Sequence, residues 1–410
     1  MKKLLLLSTF SFCLFTFSLT TVRQAFAQQY GWKDLSANIP QTGQYQPNLT
    51  DVFFITEDEG WITTDTYNEI YHTSDGGETF DIQTTQYECY TIHMLDANIG
   101  YAGGKNGRVY YTSDGGENWN AIGTIGVSLT DISFPPNTNP EDPIGYACGD
   151  AGNVWEITNT LTNLNSPSYS TFRGISAPSI NNVYSCGGGR IYYYDGSGFT
   201  SMSTPGGTFN DIHFANENDG FVVGTGGVLG KTIDGGSSWI TLANPDLLNR
   251  SLIGVFFLDA YAGWVVGDYG LILHTIDGET LLIEADGLTD QHLARVHFTS
   301  PINGYIVGNK RTLLKYTEIS GIEEKMRNQV FEIYPNPCKD QLSLRYSSFD
   351  IRHSVLKITD LTGKVVHAAE LSGNGENKFT IDVSHLPPGM YLVQLQFEHQ
   401  TATRKLIIQH

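Results

Sequence analysis

The residue types best suited to chemistry recur at matching places in short, alternating apolar segments. Two carboxylates facing each other across a cleft can hydrolyse a glycosidic bond, and arginines can bind an anionic group. Carboxylates at such places can equally solvate a channel or cap loops, and each arginine can pair with a local acid. The candidates at the segment starts are Asp51, Asp131, Asp211, Arg173, Arg250 and Arg295. The sequence leaves these interpretations open and favours a binding or structural role over catalysis.

A second column of titratable residues contains His93, His213 and His297. Three converging imidazoles could hold a metal ion. Residues that share a column in non-adjacent repeats more often pack between their own neighbours. We therefore expect neither a metal nor a cofactor.

The most frequent acidic motif is Thr-x-Asp-Gly-Gly followed by an aromatic three residues later. Copies lie at 73–80, 112–119 and 232–239, and a shortened copy lies at 275–282. The glycines supply positive φ angles for a tight hairpin, and the aspartate accepts hydrogen bonds from its own turn. A calcium loop would need several more oxygen ligands at alternate positions. We predict a structural role for Asp75, Gly77, Phe80, Asp114, Gly116, Trp119, Asp234, Gly236, Trp239 and Asp277.

These motifs belong to a repeat with a period of about 40 residues. An aromatic residue, preceded by glycine in six of seven units, recurs at intervals of 37 to 45 residues. Each unit contains four short alternating segments, which is typical of a four-stranded blade. The markers are Trp61, Tyr101, Tyr146, Tyr184, Phe221, Trp264 and Tyr305. The predicted fold class is all-β, with a seven-bladed β-propeller over residues 28–316, because a linear β-solenoid usually has shorter rungs.

The seventh unit ends after three predicted strands. Residues 30–36 resemble the fourth strand of the other units, as in the segment 116–123. We therefore predict that they complete blade 7 and cover an edge that could pair with another chain.

The phrase GWVVGDYGLILHTIDGETL at 263–281 resembles the photosystem II stability/assembly-factor family. The Asp-Gly-Gly turns resemble the Asp-box shared by that family with sialidases, sortilin-type receptors and xyloglucanases. The resemblance spans roughly residues 45–317 and is weak in the third and fourth units. It implies a propeller that holds a protein partner, with boxes that are structural and away from the ligand face.

Residues 28–315 lack the Arg-Ile-Pro phrase of sialidases and contain six arginines. We expect a non-catalytic binding or scaffold protein with an unknown protein or glycan ligand. The alternative is a secreted glycan-active protein, either a glycoside hydrolase or a lectin.

The first 27 residues have the pattern of a signal peptide. A basic start precedes an apolar stretch and a small-residue site that predicts cleavage after Ala27. A membrane anchor is the alternative, but no later apolar stretch reaches the ~18 residues of a transmembrane span.

The excess of acidic residues lies in the propeller. Residues 28–330 contain 13 basic and 35 acidic residues, whereas 331–410 contain eight of each. An acidic surface repels nucleic acids and anionic lipids, so we exclude both as partners. Of the four cysteines after the signal peptide, Cys148 and Cys186 occupy matching repeat positions. A disulfide and buried free thiols are both open for this pair.

A polar linker at 317–330 separates the propeller from a predicted immunoglobulin-like β-sandwich at 331–410. The latter resembles the type A C-terminal sorting domain of the type IX (Por) secretion system of Bacteroidetes. The motif residues are Pro335, Asn336, Pro337, Gly363, Gly389, Tyr391 and Lys405. The resemblance implies handling by the type IX machinery and its sortase. It also implies removal of the domain and delivery to the outer-membrane surface or the medium.

Overall fold

The computed structural model describes residues 30–285, 287–318, 331–346, 354–360, 364–371, 378–397 and 400–409. The predicted signal peptide, most of the predicted linker and Gly363 lie outside these ranges. The fold is all-β, with 52% strand and 4% helix. No described helix is long and apolar enough to cross a membrane.

Seven four-stranded antiparallel sheets form the blades of a propeller. The first strand, β1 (Tyr30–Asp34), belongs to blade 7. Blade 1 contains β2 (Leu49–Phe54), β3 (Gly60–Thr64), β4 (Glu69–Thr73) and β5 (Asp81–Thr84). Blade 2 contains β6 (Cys89–Met94), β7 (Gly100–Gly104), β8 (Arg108–Thr112) and β9 (Asn120–Thr124). Blade 3 contains β10 (Leu129–Ser133), β11 (Gly145–Gly149), β12 (Val154–Ile157) and β13 (Leu161–Asn163).

The later blades repeat this order. Blades 4 to 7 contain β14 (Gly174–Ser179), β15 (Asn182–Gly187), β16 (Arg190–Tyr194), β17 (Phe199–Ser201); β18 (Phe209–Phe214), β19 (Gly220–Gly224), β20 (Leu229–Thr232), β21 (Ile240–Thr241); β22 (Leu252–Phe257), β23 (Gly263–Gly267), β24 (Ile272–Thr275), β25 (Leu282–Ala285); and β26 (Leu293–Ser300), β27 (Asn303–Gly308), β28 (Leu313–Glu318). Short 3-10 turns lie at Ser36–Asn38, Lys105–Gly107, Asp150–Gly152, Thr225–Gly227 and Asp268–Gly270.

Burial within a blade is greatest in the second strand and least in the outermost one. In blade 1, every residue of the second strand β3 is buried, whereas the outermost strand β5 is largely exposed. Seven apolar clusters lie between adjacent blades, so the core is distributed around the ring. Blades are therefore held by their neighbours, as the repeat predicts.

The N-terminal strand closes the ring. β1 pairs antiparallel with β28, and Trp32 lies opposite Tyr316. The sheet order of blade 7 is β1-β28-β27-β26, so its outermost strand comes from the other end of the propeller chain.

The glycine before the marker aromatic makes room for a large side chain of the neighbouring inner strand, which is Met94 in blade 2 and a phenylalanine in the other five blades that have this glycine. A Cβ on Gly220 would lie 2.5 Å from the Phe214 ring, which itself stacks on Tyr184 of the previous blade at 3.7 Å. Blade 4 exchanges both residues, since it has Val183 in place of the glycine and Ala177 in place of the phenylalanine. Small and large residues have swapped sides within one interface, which keeps it filled.

We expect Gly220→Ala to lower the free energy of unfolding by about 1–3 kcal/mol, because the added carbon overlaps the Phe214 ring. Thermal unfolding followed by circular dichroism measures this loss. The double variant Gly220→Val/Phe214→Ala copies blade 4 and should recover part of it. An unchanged midpoint for Gly220→Ala would contradict the steric explanation.

The C-terminal residues form two further sheets. Their strands are β29 (Phe331–Tyr334), β30 (Gln341–Tyr346), β31 (Ser354–Asp360), β32 (Val365–Leu371), β33 (Lys378–Asp382), β34 (Gly389–Phe397) and β35 (Gln400–Ile408). The orders are β29-β30-β33 and β32-β31-β34-β35. Leu342 and Leu344 of one sheet share a buried core with Leu356, Val393 and Leu406 of the other. The two sheets therefore pack face to face.

The structure distinguishes between a disulfide and buried free thiols for Cys148 and Cys186. Cys148 and Cys186 are both free and buried in neighbouring blades. Burial raises the pKa of both thiols, so they remain protonated and act as small apolar groups.

Candidate functional site

Four charged residues from alternate blades meet inside the channel. The carboxylates of Asp51, Asp131 and Asp211 come from the inner strands of blades 1, 3 and 5, and the guanidinium of Arg295 comes from blade 7. Its Nε lies 4.0 Å from Asp51, its Nη2 lies 3.9 Å from Asp131, and its Nη1 lies 4.0 Å from Asp211. Each guanidinium nitrogen thus faces a different carboxylate. We call these four residues the plug.

Each plug carboxylate also joins two blades through backbone hydrogen bonds. Asp51 accepts from its own neighbour Val52 and from Ile92 of the next blade, both at 2.9 Å. Asp131 and Asp211 repeat this pattern toward Ile175 at 2.9 Å and Val255 at 3.0 Å. This explains why blades 1, 3 and 5 carry an acid near the start of the inner strand.

Burial sets the charge of the plug. It raises the pKa of Asp51, Asp131 and Asp211, and the positive charge of Arg295 offsets this rise only in part. Three like charges close together are unfavourable, so part of the cluster is protonated near neutral pH. The plug therefore carries less negative charge than three ionised carboxylates facing one guanidinium would have.

A second ring of seven side chains lies two residues further along each inner strand. Its members, which we call the channel ring, are Phe53, His93, Ser133, Ser176, His213, Phe256 and His297. Five aromatic rings form an arc around blades 2, 1, 7, 6 and 5, with neighbouring ring centroids 4.4 to 5.0 Å apart. The two serines complete the ring in blades 3 and 4.

Four of the five polar members of the channel ring accept hydrogen bonds from the next blade. The backbone N–H of Phe257 donates to Nδ1 of His213 at 3.3 Å, and that of Phe54 donates to Nδ1 of His297 at 3.4 Å. Burial lowers the pKa of His213 to about 4 and that of His297 to about 3, so both imidazoles are neutral. A neutral imidazole that accepts at Nδ1 carries its proton on Nε2.

Cavities open at both mouths of the channel. The first, about 370 Å³, is lined by the plug, the channel ring and the loop 135–138. The second, about 420 Å³, lies on the other side of Arg295 and is lined by Thr130, Arg173 and Asn210. Among the described residues, no group of three or more His, Cys, Asp and Glu side chains is arranged to hold a metal ion.

The arginines predicted together do not lie together. Arg173 is exposed at the second mouth, whereas Arg295 is part of the plug. Arg250 is buried and pairs with Asp246 at 3.2 Å, because the turn before β22 directs it into the protein. Its side chain lines neither cavity, so the structure does not place it with the other predicted residues at a channel mouth. Thr91 occupies the aspartate position in blade 2 and accepts a hydrogen bond from the N–H of Ile132 at 3.0 Å. The sequence did not predict Thr91, Ser133 or Ser176 as site residues, although their matching repeat positions could have indicated them.

The Asp-Gly-Gly turns are hydrogen-bonded internally. Thr73 donates to Asp75 at 2.8 Å and accepts from the N–H of Gly77 at 2.9 Å. Asp75 also accepts from the backbone and hydroxyl of Thr79, and these bonds lower its pKa to about 2. The turns at 112–119 and 232–239 repeat this geometry.

The same turns also contact the previous blade. The indole N–H of Trp61 in blade 1 donates to the carbonyl of Gly115 in blade 2 at 3.0 Å. Tyr184 donates to Gly235 at 3.1 Å across the next such interface. Trp264 in blade 6 is equally buried, but its indole nitrogen has no partner among the described residues. Blade 7 has no Asp-Gly-Gly turn to accept it.

We expect Trp61→Phe to lower the free energy of unfolding by about 0.5–1.5 kcal/mol more than Trp264→Phe. Both changes remove similar buried area, but only the first removes a hydrogen bond, and the Gly115 carbonyl keeps the side-chain amide of Gln83 as a donor at 2.8 Å. Within its own blade, Trp61 packs against His72 at 4.8 Å and Trp264 stacks on His274 at 4.5 Å. Trp264 also stacks on Phe298 of the next blade at 3.5 Å. Thermal unfolding of the two variants measures the difference, and equal losses would show that the bond contributes nothing.

The C-terminal motif residues join the first and last strands of their two sheets. Asn336 donates to the carbonyl of Lys405 at 2.7 Å and accepts from the N–H of Ile407 at 2.9 Å. The Tyr391 hydroxyl donates to the carbonyl of Pro387 at 2.8 Å. Pro335, Pro337 and Gly389 lie in or beside the same strands.

Fold and site together define the class of this protein: a seven-bladed β-propeller with a plugged channel, followed by a C-terminal unit of two packed β-sheets. The secretion system C-terminal sorting domain family matches residues 332–409. The family of the photosynthesis system II assembly factor YCF48 matches residues 201–282. The chain is thus a propeller that resembles this assembly factor and that is secreted through the type IX system.

A comparison with curated proteins gives a relative from the same assembly-factor family. The photosystem II assembly lipoprotein Ycf48 of Synechococcus sp. (strain CC9902) is 37% identical over 70 residues, which is 17% of this chain and 21% of the relative. The matched segment thus spans about a fifth of that protein.

The structure of YCF48 bound to D1 peptide is similar with a TM-score of 0.56 at 18% identity, covering 70% of this chain and 96% of the other. YCF48 from Cyanidioschyzon merolae gives a TM-score of 0.52 at 18% identity, covering 70% and 98%. Virginiamycin B lyase from Staphylococcus aureus gives 0.60 at 13% identity, covering 71% and 100%. At these identities the likeness concerns the fold alone.

Proposed function

We propose that this protein is a non-catalytic binding or scaffold propeller of the cell surface or the medium, delivered there by its C-terminal sorting domain. The observation that carries the proposal is the state of the plug. Asp51, Asp131 and Asp211 each accept two backbone hydrogen bonds and face Arg295. A carboxylate with these partners is poorly placed to exchange protons with a substrate.

The comparisons support a binding role in a second way. One solved structure of a similar fold is YCF48 bound to a D1 peptide, so a propeller of this shape can hold a partner. Fold alone does not determine function, and the partner of this chain belongs outside the cytoplasm.

Export is tested by removing residues 331–410. We expect the truncated chain to accumulate in the periplasm, because the sorting domain supplies the signal for the second membrane passage. Cell fractionation and surface protease accessibility measure the result. A full-length chain with the exposed residue Arg173 changed to Met is the control, and it should reach the surface normally. Normal surface or medium delivery of the truncated chain would refute the assignment.

The hydrolase alternative is tested with purified mature protein and neutral polysaccharides. We expect no release of reducing ends above the level of Asp131→Asn, since this residue is held in the plug. Release that depends on Asp131 would instead assign two of the plug carboxylates to acid and base roles.

A further inference from the structure

The channel ring presents hydrogen-bond donors to the first cavity. Nε2–H of His213 and of His297 makes no bond to another described residue, because the backbone occupies Nδ1 of each ring. Ser133 and Ser176 likewise accept backbone N–H groups at 3.1 and 2.9 Å, which leaves their hydroxyl protons available. All four side chains line the same cavity of about 370 Å³.

We propose that this mouth of the channel binds a neutral saccharide, whose hydroxyl and ring oxygens accept from His213, His297, Ser133 and Ser176. The proposal rests on the proposed function and names the class of ligand. Phe53 and Phe256 lie between the histidines and supply an apolar surface for the C–H face of a sugar ring. The cavity volume lies in the usual range for small-molecule sites.

Charge favours a neutral ligand over an anionic one. The layer beneath the channel ring offers one guanidinium against three carboxyl groups, so it carries no surplus of positive charge. The propeller as a whole is strongly acidic, with 13 basic and 35 acidic residues in 28–330. An anion would be repelled at long range and would find no free counter-charge in the site.

Hydrogen-bond chemistry disfavours a metal or a peptide. A metal at Nε2 would move the imidazole proton to Nδ1, where a backbone N–H already points. Peptide N–H groups need acceptors, and the plug oxygens already accept from Ile92, Ile175 and Val255. Sugar hydroxyls can accept from the ring and donate to one another or to water.

A neighbouring groove extends the site. Residues 135–138 form a wall that is shared by the cavity and by a groove of about 690 Å³. Ile180, Asn182 and Glu217 line its far side. An oligosaccharide that continues from the channel mouth would lie along this groove, so we expect longer neutral chains to bind more tightly than single sugars.

The test uses mature full-length protein on an array of neutral glycans, anionic glycans and peptides, with affinities measured by calorimetry. We expect binding of neutral oligosaccharides and a loss of about five- to tenfold in affinity for His213→Phe, the size of one hydrogen bond. Phenylalanine already occupies this position in blades 1 and 6, so the variant should fold. His72→Phe, outside the cavity, is the matched control and should bind normally.

Nuclear magnetic resonance gives an independent readout. Addition of the bound glycan should shift the Nε2–H signals of His213 and His297 and leave that of His274 unchanged. The proposal is overturned if no neutral glycan binds, if a peptide or an anionic glycan binds at this mouth instead, or if His213→Phe binds as the wild type does. A protein that reaches the surface but binds no glycan would overturn this inference and leave the proposed function intact.

Discussion

Replacement of Arg295 by Met should lower the free energy of unfolding by about 3–5 kcal/mol. The change removes the only cation that faces the three buried carboxyl groups of the plug among the described residues. Removing one partner of a buried ionic group leaves the others uncompensated, which is the costly case. Urea unfolding followed by tryptophan fluorescence measures the loss. All six tryptophans lie in residues 30–318, so the signal reports on the propeller alone.

The loss of unfolding free energy caused by Arg295→Met should increase as pH rises. Burial holds the pKa of each plug carboxyl above its unfolded value, so the folded state binds more protons than the unfolded state and loses stability as pH rises. Without Arg295 these pKa values rise further. The difference between variant and wild type should therefore be larger at about pH 8 than at about pH 5.

Arg173→Met is the matched control for this prediction. Arg173 is exposed at the opposite mouth of the channel, and surface substitutions usually change stability by less than about 0.5 kcal/mol. Equal urea midpoints for Arg295→Met and the wild type at both pH values would show that the plug contributes nothing to the ring.

The sequence predicted the plug carboxylates and included Arg295 among the candidates, but it did not show that this arginine alone faces all three of them. The repeat aligned Asp51, Asp131 and Asp211, which made a ring at one level of the channel predictable. Arg295 occupies the same column, whereas Arg173 stands one residue earlier than that column in its own blade. Because side chains alternate along a strand, this shift places the two arginines differently. The aligned inner strands show which residues share a column, but Arg295 meets the three aspartates only because the closed ring brings blades 1, 3, 5 and 7 together around the channel.

The packing between blades was likewise only partly predictable from the sequence. The glycine before each marker aromatic was visible as a pattern, and Val183 was visible as its exception. The reason lies in Ala177, which replaces a phenylalanine on the neighbouring strand and becomes relevant only once the strand register is known. The donor character of the channel ring was likewise hidden, because it depends on backbone N–H groups of the next blade.

Deletion of residues 28–36 should destabilise the whole propeller rather than one blade. It removes β1 and with it Trp32, which is buried against Phe298 and Tyr316 and donates to Glu284 at 2.9 Å. It also removes Leu35 from the cluster between blades 7 and 1. Loss of a buried tryptophan alone costs about 3–5 kcal/mol. The exposed edge of β28 would in addition be free to pair with other chains.

Two point variants on the same strand separate packing from edge protection. Trp32→Ala should cost about 3–5 kcal/mol of unfolding free energy while β1 still covers its neighbour. Lys33→Ala should cost under about 1 kcal/mol, because Lys33 is partly exposed and pairs only with the exposed Glu78. Only the deletion should also form oligomers, which size-exclusion chromatography detects. Thermal unfolding of the deletion at the wild-type temperature would mean that the ring is closed by blades 1 and 7 alone and that β1 merely lies against it.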